Sequence, residues 1–421
     1  MLKQVFESDF GESYVKCEHE SGLQIYILEK PLYNSAYALF GTKYGSIDNV
    51  FSVNGEQTEV PEGIAHFLEH KLFESEDGDA FTRYAETGAY ANAFTSFDKT
   101  CYLFKCSTRF YDNLEILLDF VQSPYFTAAT VQKEQGIIGQ EIRMYDDSPG
   151  WRVMFNMLLA MYKNHPVRID IAGTTESIAE ITDELLYKCY NTFYNPQNMF
   201  LCIAGNVDTD KVLKMVEEQL KPKEKQDLCR IMPEEPDEIL KPYVEQALEV
   251  VIPLFCFGYK EKADRPLTLK ERICTSVLLD MIIGDASPLY KKLVNEGLIN
   301  DEFDFEYFNG PGYSSVIFEG ESQNPQRVAD EIKAEITRLK EEGLNKKLFN
   351  AVRSNCYGNA IRNYNSMESI AMDLVDCAMS GYELFDEIKC LKSITVDDVY
   401  KRLAVLDNDK TVLSVIVPKE K

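Results

Sequence analysis

The chain has 421 residues, of which 45% are hydrophobic, so it can bury substantial cores, and its length favours two or three domains. The formal net charge of −25 argues against binding to nucleic acid, whose phosphates require a basic surface. The N-terminus has no apolar run of signal-peptide length, and no apolar run anywhere reaches the roughly 18 residues that a membrane span needs, so neither is predicted and we expect a cytoplasmic protein.

The first half of the chain alternates strand patterns with helical patterns. Short apolar runs predict strands over residues 23–28, 36–40 and 100–106. Apolar residues at helical spacing predict helices over residues 61–74, 111–122 and 128–145. Because strands precede and separate the helices, the pattern indicates an α+β domain with a mostly antiparallel sheet.

The helix predicted over residues 61–74 carries the segment His66-Phe-Leu-Glu-His70, which has the inverzincin order of residues. Steps of three and four residues return to one side of a helix, so His66, Glu69 and His70 converge there, while apolar residues occupy the other side. Two imidazoles so spaced suit the tetrahedral geometry of zinc, and Glu69 is placed to take a proton from an attacking water. The alternative is a solvated helix face without function. The eleven cysteines are scattered without a Cys-x-x-Cys pair and do not indicate a thiolate zinc site.

Residues 90–96 alternate their side chains between two faces, as a strand does. If this strand lies at the edge of a sheet, its free backbone groups can pair with an extended peptide. The residues then predicted to contact substrate are Asn92, Ala93, Phe94 and Thr95. The alternative is an internal strand, whose backbone groups are paired within the sheet.

A catalytic zinc site needs a third protein ligand, and the helix predicted over residues 128–145 offers carboxylates. Glu134 and Glu141 are seven residues apart, which places both on one face of that helix, and Thr127 is its predicted N-cap. Asp147 follows the helix. Spacing alone leaves Glu134, Glu141 and Asp147 as alternatives for the third ligand.

Two segments of the chain share a pattern. Residues 181–188 and 394–401 each begin as a helix, with Thr at the N-cap position and acidic residues in the first turn. Each is followed by a buried-strand run, at residues 199–204 and 412–417 respectively. The pattern indicates an internal duplication, against the alternative of a coincidence between two short helix-strand units.

A charged, proline-bearing stretch between these halves, residues 221–238, is typical of a linker. We therefore predict a zinc-binding domain at residues 1–225, a linker at 226–240, and a second domain of the same fold without a metal site at 241–421. Each domain is expected to be a mostly antiparallel sheet covered by helices.

Several segments resemble the pitrilysin and insulin-degrading-enzyme family of zinc peptidases, which includes the mitochondrial processing peptidase. Residues 61–74 are similar to the family's zinc helix, 89–95 to its edge strand, 164–178 to a later segment, and 198–208 to the strand that closes its first domain. The resemblance is to the small half-size bacterial members. It implies two homologous α/β domains that form half of a clam shell.

The resemblance also implies a peptidase with one Zn²⁺ per chain. It maps the distal zinc ligand onto Glu141, beside His66 and His70, because the family places it on the second glutamate of a Glu-x6-Glu pair. Glu134 is then the supporting carboxylate next to the ligands, and Glu69 is the catalytic base and acid.

Active members of the family carry, in their second half, an Arg and a Tyr that bind substrate and help stabilise the oxyanion. Compared with that pattern, this chain has Val294 and Asn300 at the two positions. Losing one preorganised donor typically costs roughly a hundredfold or more in rate. Tyr307 and Tyr313 are candidates to supply a substitute donor.

An intact motif beside these replacements predicts a zinc-dependent endopeptidase subunit that another chain completes. We expect a peptide substrate and a heterodimer with a related subunit lacking the zinc motif, with a homodimer as the alternative and with no nucleic-acid or membrane partner. Two other hypotheses are a structural or binding subunit with little activity of its own, and a dedicated processing peptidase for a modified peptide.

Overall fold

The computed structural model describes residues 2–76 and 78–419, in which helices and strands alternate. Its strands are β1 (Leu2–Glu7), β2 (Ser13–Glu18), β3 (Gln24–Glu29), β4 (Ala36–Thr42), β5 (Val50–Val53), β6 (Glu56–Glu59), β7 (Glu74–Ser75), β8 (Gly78–Asp79), β9 (Tyr90–Thr95), β10 (Thr100–Cys106), β11 (Met199–Gly205), β12 (Leu228–Arg230), β13 (Tyr243–Leu248), β14 (Leu254–Lys260), β15 (Asp304–Gly310), β16 (Tyr313–Glu321) and β17 (Thr411–Pro418). Its helices are α1 (Ile64–Leu72), α2 (Ala80–Thr87), α3 (Phe110–Val121), α4 (Ala128–Asp146), α5 (Pro149–Met161), α6 (Thr175–Ala179), α7 (Asp183–Phe193), α8 (Thr209–Gln219), α9 (Leu269–Ile283), α10 (Pro288–Asn295), α11 (Pro325–Glu342), α12 (Lys346–Asn363), α13 (Met367–Ser380), α14 (Asp386–Ser393) and α15 (Val396–Arg402).

The first sheet has the strand order β1-β2-β3-β11-β4-β10-β9. All of its neighbouring pairs are antiparallel except β3 and β11, which are parallel. Every residue of β4 and β11 is buried, as expected of near-continuous apolar strands in the middle of a covered sheet. Within the described residues β9 pairs only with β10, so it forms an edge of this sheet.

The second sheet has the strand order β13-β17-β14-β16-β15, and its one parallel pair is β13 with β17. This order and these directions repeat those of β3-β11-β4-β10-β9 in the first sheet. The helices before β11 and β17 also correspond, because Thr182 and Thr395 cap α7 and α15 through their side chains. The predicted fold class, two related α+β domains with mostly antiparallel sheets, is confirmed.

The chain forms two compact units, and each contains segments from both halves of the sequence. The first consists of residues up to Ile142 with Asp170–Ile231 and Arg362–Phe385; the second consists of Arg143–Ile169, Met232–Ile361 and the residues from Asp386 onwards. Within the first unit α13 packs on β3, β4 and β11, and within the second unit α5 packs on β13, β14 and β17.

This division differs from the predicted domains at 1–225 and 241–421. The change of unit at Ile231 falls inside the predicted linker. However, Arg143–Ile169 from the first half of the sequence belongs to the second unit, and Arg362–Phe385 from the second half belongs to the first unit. The apolar face of a helix shows that it packs on a sheet and does not show on which sheet, so sequence periodicity carries no signal for this exchange. Within the described part of the chain no single helix is long and apolar enough to cross a membrane, and α9 with α10 meets that criterion only jointly, across a 42° bend.

Candidate metal centre

Helix α1 starts at a backbone turn that leaves no room for a side chain. Gly63 precedes the helix with a φ of +85°, and a Cβ built there would lie 2.3 Å from the Ala172 carbonyl oxygen. The hydroxyl of Ser177 donates to the Glu62 carbonyl at 2.9 Å. The segment that follows residue 170 therefore fixes where α1 begins and, with it, where the motif lies.

The burial of α1 is more complete than the sequence predicts. Its apolar residues Ile64, Phe67, Leu68 and Leu72 are at most 1% exposed, as expected for the packed face. Lys71, which follows the second histidine, is also fully buried and forms an ion pair with Glu74. Helix α1 thus has an ion pair with a buried lysine on its packed side, which the spacing of its apolar residues did not predict.

Three side chains from two helices bring their ligand atoms together. The Nε2 atoms of His66 and His70 lie 3.6 and 3.5 Å from the carboxylate oxygens of Glu141 on α4. One ligand atom from each of the three residues lies within 4.8 Å of the others. Asp147, the other candidate, lies beyond the end of α4 and is not part of this group.

Glu134 contacts the back of the second imidazole. Its Oε1 lies 3.0 Å from His70 Nδ1, on the opposite side of the ring from the Nε2 that faces Glu141. The hydroxyl of Thr127 accepts from the Thr130 N–H, which confirms the predicted cap of α4. A carboxylate on the far nitrogen fixes the orientation of an imidazole ligand and raises its basicity.

Burial and neighbouring charges set the protonation of the cluster. Burial and the neighbouring His70 lower the pKa of His66 to about 3, so its imidazole is neutral at neutral pH. Burial alone would lower the pKa of His70, but the hydrogen bond with Glu134 and the carboxylates of Glu69 and Glu141 outweigh it and raise the pKa. Burial raises the pKa of the Glu69 carboxyl, against hydrogen bonds from Thr95 and the charge of His70. A carboxyl of raised pKa is suited to both accepting and releasing a proton.

The donor set fits a zinc ion. Zinc bonds of about 2.0–2.2 Å in tetrahedral geometry separate two ligand atoms by roughly 3.3–3.6 Å. The His66 Nε2 lies 3.6 Å from Oε1 of Glu141 and the His70 Nε2 lies 3.5 Å from Oε2, and one ligand atom from each residue lies within 4.8 Å of the others, so a small movement of these side chains brings them to zinc distances. Two imidazoles with one carboxylate form a three-ligand set of the type that catalytic zinc sites use.

The edge strand β9 runs beside this cluster. The Thr95 hydroxyl donates to Glu69 Oε2 at 2.6 Å, so Thr95 contacts the motif itself. Asn92 and Ala93 line an open pocket of about 650 Å³ that Glu69, His70, Phe73 and Phe81 also line. Phe94 does not line that pocket. The structure therefore brings three of the four predicted substrate-contact residues to the cluster or to the pocket next to it.

Comparison with known proteins identifies the family. The chain matches the family model described as insulinase, peptidase family M16, over residues 54–175, and the model described as the peptidase M16 inactive domain over residues 180–356. It is also 41% identical to YmfH, an uncharacterized zinc protease of Bacillus subtilis strain 168, over the full length of both chains. The chain belongs to peptidase family M16. The family resemblance of the sequence is confirmed.

Solved structures agree with the M16 assignment. A protein of Alicyclobacillus acidocaldarius described as an M16-like peptidase superposes with a TM-score of 0.94 at 34% identity, covering 98% of this chain and all of that one. Pitrilysin superposes with a TM-score of 0.78 at 17% identity, a likeness of fold, and this chain covers 47% of it. The M16 fold of this chain is thus that of a half-size member.

In the second unit of this M16 chain, the positions expected to carry an Arg and a Tyr lie on the surface. Val294 on α10 is 41% exposed, and the Asn300 side-chain amide donates to Glu321 at 2.9 Å. Two tyrosines were candidates to replace the missing donor. The Tyr307 hydroxyl already donates to Glu261 at 2.6 Å, and the Tyr313 side chain is only 4% exposed. Tyr307 is half-buried in the second unit and Tyr313 is buried there.

Proposed function

We propose that this chain is a zinc-dependent endopeptidase subunit that hydrolyses extended peptides. His66, His70 and Glu141 would hold one Zn²⁺ per chain, and Glu69 would act as general base and acid. The observation that carries the proposal is the convergence of the two Nε2 atoms and the Glu141 carboxylate beside Glu69, next to an open sheet edge. Membership of family M16 and the zinc-protease relative support it.

The chemistry follows from the positions of the side chains. When bound, zinc supplies Lewis-acid polarisation of the scissile carbonyl and makes an attacking water easier to deprotonate. Glu69 takes the proton from that water and passes it to the leaving amine. Through its contact with Nδ1 at 3.0 Å, Glu134 would hold the His70 ring in an orientation that leaves Nε2 available to a metal.

Substrate binding is proposed at β9. An extended peptide would add to the free edge of this strand through backbone hydrogen bonds, which select conformation more than sequence. Asn92, Ala93, Phe94 and Thr95 are the proposed strand residues, with Asn92 and Ala93 beside the pocket at Glu69.

We further propose that a second chain completes the site. Val294 and Asn300 cannot supply the fork of an arginine or the hydroxyl of a tyrosine. The proposed partner is a related subunit without the zinc motif, with a homodimer as the alternative. The half-size match to pitrilysin is consistent with a second M16-like half.

Metal content and turnover test the catalytic proposal. Purified wild-type chain is expected to contain about one zinc per chain by elemental analysis, and to cleave a quenched fluorescent peptide alone or with a candidate partner. Glu69→Gln keeps the shape of the side chain and removes the base, so zinc content should stay unchanged while kcat falls by roughly 10²–10⁴. Equal turnover by the two forms, or a wild type without zinc, would contradict the proposal.

A structural or binding subunit is the second candidate function, and the replacement of the expected Arg and Tyr by Val294 and Asn300 favours it. It predicts zinc binding and partner binding without turnover in any combination. A dedicated processing peptidase for a modified peptide shares the proposed site; it predicts turnover of one native substrate and little cleavage of unmodified test peptides.

A further inference from the structure

The hydroxyl of Thr95 holds one oxygen of the Glu69 carboxylate. Thr95 Oγ1 donates to Glu69 Oε2 at 2.6 Å, the length of a strong hydrogen bond to a charged acceptor. The Glu69 side chain carries several rotatable bonds and is 9% exposed. With Oε2 fixed, the remaining oxygen has a defined direction, which a proton transfer between water and leaving amine requires.

Thr95 itself has a fixed position. It is paired with Thr100 on β10, whose hydroxyl lies 3.3 Å from that of Thr95 and donates to the Tyr44 carbonyl at 2.9 Å. Thr100 is fully buried. A buried hydroxyl on the neighbouring strand β10 therefore lies next to the one that contacts Glu69.

The edge strand of the second sheet also carries a hydroxyl that contacts a buried carboxylate. The Tyr307 hydroxyl on β15 donates to Glu261 at 2.6 Å and accepts from Arg402 at 3.0 Å. In each sheet, a hydroxyl of the edge strand therefore donates to a buried glutamate.

We infer that the side chain of Thr95 positions Glu69, and that Thr95 belongs to the substrate-binding strand only through its backbone. The inference rests on the proposed function, because it concerns the residue that would move the proton. It separates two roles within β9: the edge backbone would bind the peptide, while the Thr95 side chain would direct the carboxylate. Removing the hydroxyl should therefore slow turnover and leave binding unchanged.

The kinetic experiment compares Thr95→Val and Thr95→Ser with the zinc-loaded wild-type chain, in whichever assembly cleaves a quenched peptide. Thr95→Val keeps the shape and loses the donor, so kcat should fall roughly 10–100-fold while KM stays within about twofold. Thr95→Ser keeps the donor and should restore kcat to within about threefold of wild type. Zinc content should be equal in all three.

The binding experiment uses chains that do not turn over. In a Glu69→Gln background, the Kd for a fluorescent peptide should be the same with and without Thr95→Val. Thr42→Val is the matched control: its buried hydroxyl donates to the Phe193 carbonyl at 2.6 Å and accepts from the Asn198 amide at 3.2 Å, and Thr42 lies on β4, two strands from Thr95. It should lower the Tm slightly without changing kcat.

Three other results for Thr95→Val would overturn the inference. A raised KM or Kd with normal kcat would make Thr95 a substrate contact, and an unfolded or zinc-free Thr95→Val protein would make its role structural; either overturns the inference, as does unchanged kcat in Thr95→Val. These results leave the proposed function standing if the wild type cleaves peptides. A wild type that cleaves no peptide in any assembly would overturn the proposed function, and the inference with it.

Discussion

His165 is a fully buried histidine whose two ring nitrogens both contact backbone groups. Nδ1 accepts from the Val167 N–H at 3.1 Å, so the proton lies on Nε2, which donates to the Pro311 carbonyl at 2.9 Å. Within the second unit it thus ties the start of a short 3-10 turn to the β15–β16 connection. Of the four histidines in the chain, this one has a packing role.

A pH dependence of stability follows from that burial. Burial lowers the pKa of His165, against the Pro311 hydrogen bond and Glu235, with Lys260 also lowering it. The neutral form is the native one, so its contribution is fully present above the unfolded pKa of about 6.5 and is lost as pH falls below it. His165→Asn keeps an acceptor for Val167 and leaves the Pro311 carbonyl without its donor, so at pH 7.5 it should cost roughly 1–3 kcal/mol.

Urea unfolding of wild type and His165→Asn at pH 7.5, 6.5 and 5.5 measures this effect. The difference in unfolding free energy should narrow steadily toward the lowest pH, because only the wild type loses the contribution of a neutral imidazole. A difference that stays constant over this range would contradict the assignment.

At the scale of elements, the start of α1 determines where the motif lies. Gly63 combines a left-handed backbone with a contact that excludes a side chain, at 2.3 Å from Ala172 O. Gly55, in the β5–β6 turn, has nearly the same φ, +86° against +85°, and nothing within 4 Å of its Cβ position. The two glycines therefore have nearly the same φ but differ in the space available for a side chain.

Replacing each by alanine separates the two effects. Gly55→Ala should cost only the left-handed strain, about 1 kcal/mol. Gly63→Ala adds a clash with a backbone atom that must shift α1 against the segment after residue 170, so we expect a loss of roughly 2–4 kcal/mol and weaker zinc binding. Thermal unfolding and zinc titration measure both. Equal costs for the two variants would show that the close approach to Ala172 does not matter.

The same element shows how far the sequence carries a prediction. The strands predicted at 36–40 and 100–106 lie within or match β4 and β10, because apolar runs mark buried strands well. The helix predicted from residue 61 starts at Ile64, since Gly63 takes a left-handed turn that contact with Ala172 imposes. Such a long-range contact leaves no periodic signal.

In the candidate site too, the part set by local helix geometry could be predicted from the sequence, and the part set by long-range packing could not. His66, Glu69 and His70 lie on two turns of one helix, so their convergence follows from helical geometry. The grouping of Glu141 with them depends on how α4 packs, and spacing alone had left Glu134 and Asp147 as alternatives. The burial of Lys71 was missed because a lysine within a motif gives no sign of whether its charge is paired.

At the scale of the whole molecule, the two sheets have one topology and different centres. Where the first unit has Glu69 beside Thr95, the second has an ion pair between Arg402 and Glu261 at 2.6 Å, beside Tyr307. Both partners of that pair are less than 10% exposed, and a buried charge needs a partner. The charges of Arg402 and Glu261 therefore neutralise each other inside the second unit.

This asymmetry makes the need for a partner testable by substitution. If Val294 and Asn300 stand where substrate-binding donors are missing, Val294→Arg with Asn300→Tyr should raise kcat/KM of the protein assayed without a different subunit by roughly a hundredfold, through pairing of two copies of the chain. Val294 is 41% exposed, so an arginine fits without repacking. Val294→Lys with Asn300→Phe is the matched control, because it adds similar bulk and charge without the guanidinium fork or the tyrosine hydroxyl.

Addition of a related subunit that carries the Arg and the Tyr tests the same need directly. It should raise kcat/KM of the wild type by a similar factor, and kcat/KM of the Val294→Arg, Asn300→Tyr variant by a smaller factor. A wild-type homodimer that is fully active by itself, with no gain from either the substitutions or the subunit, would overturn the heterodimer proposal.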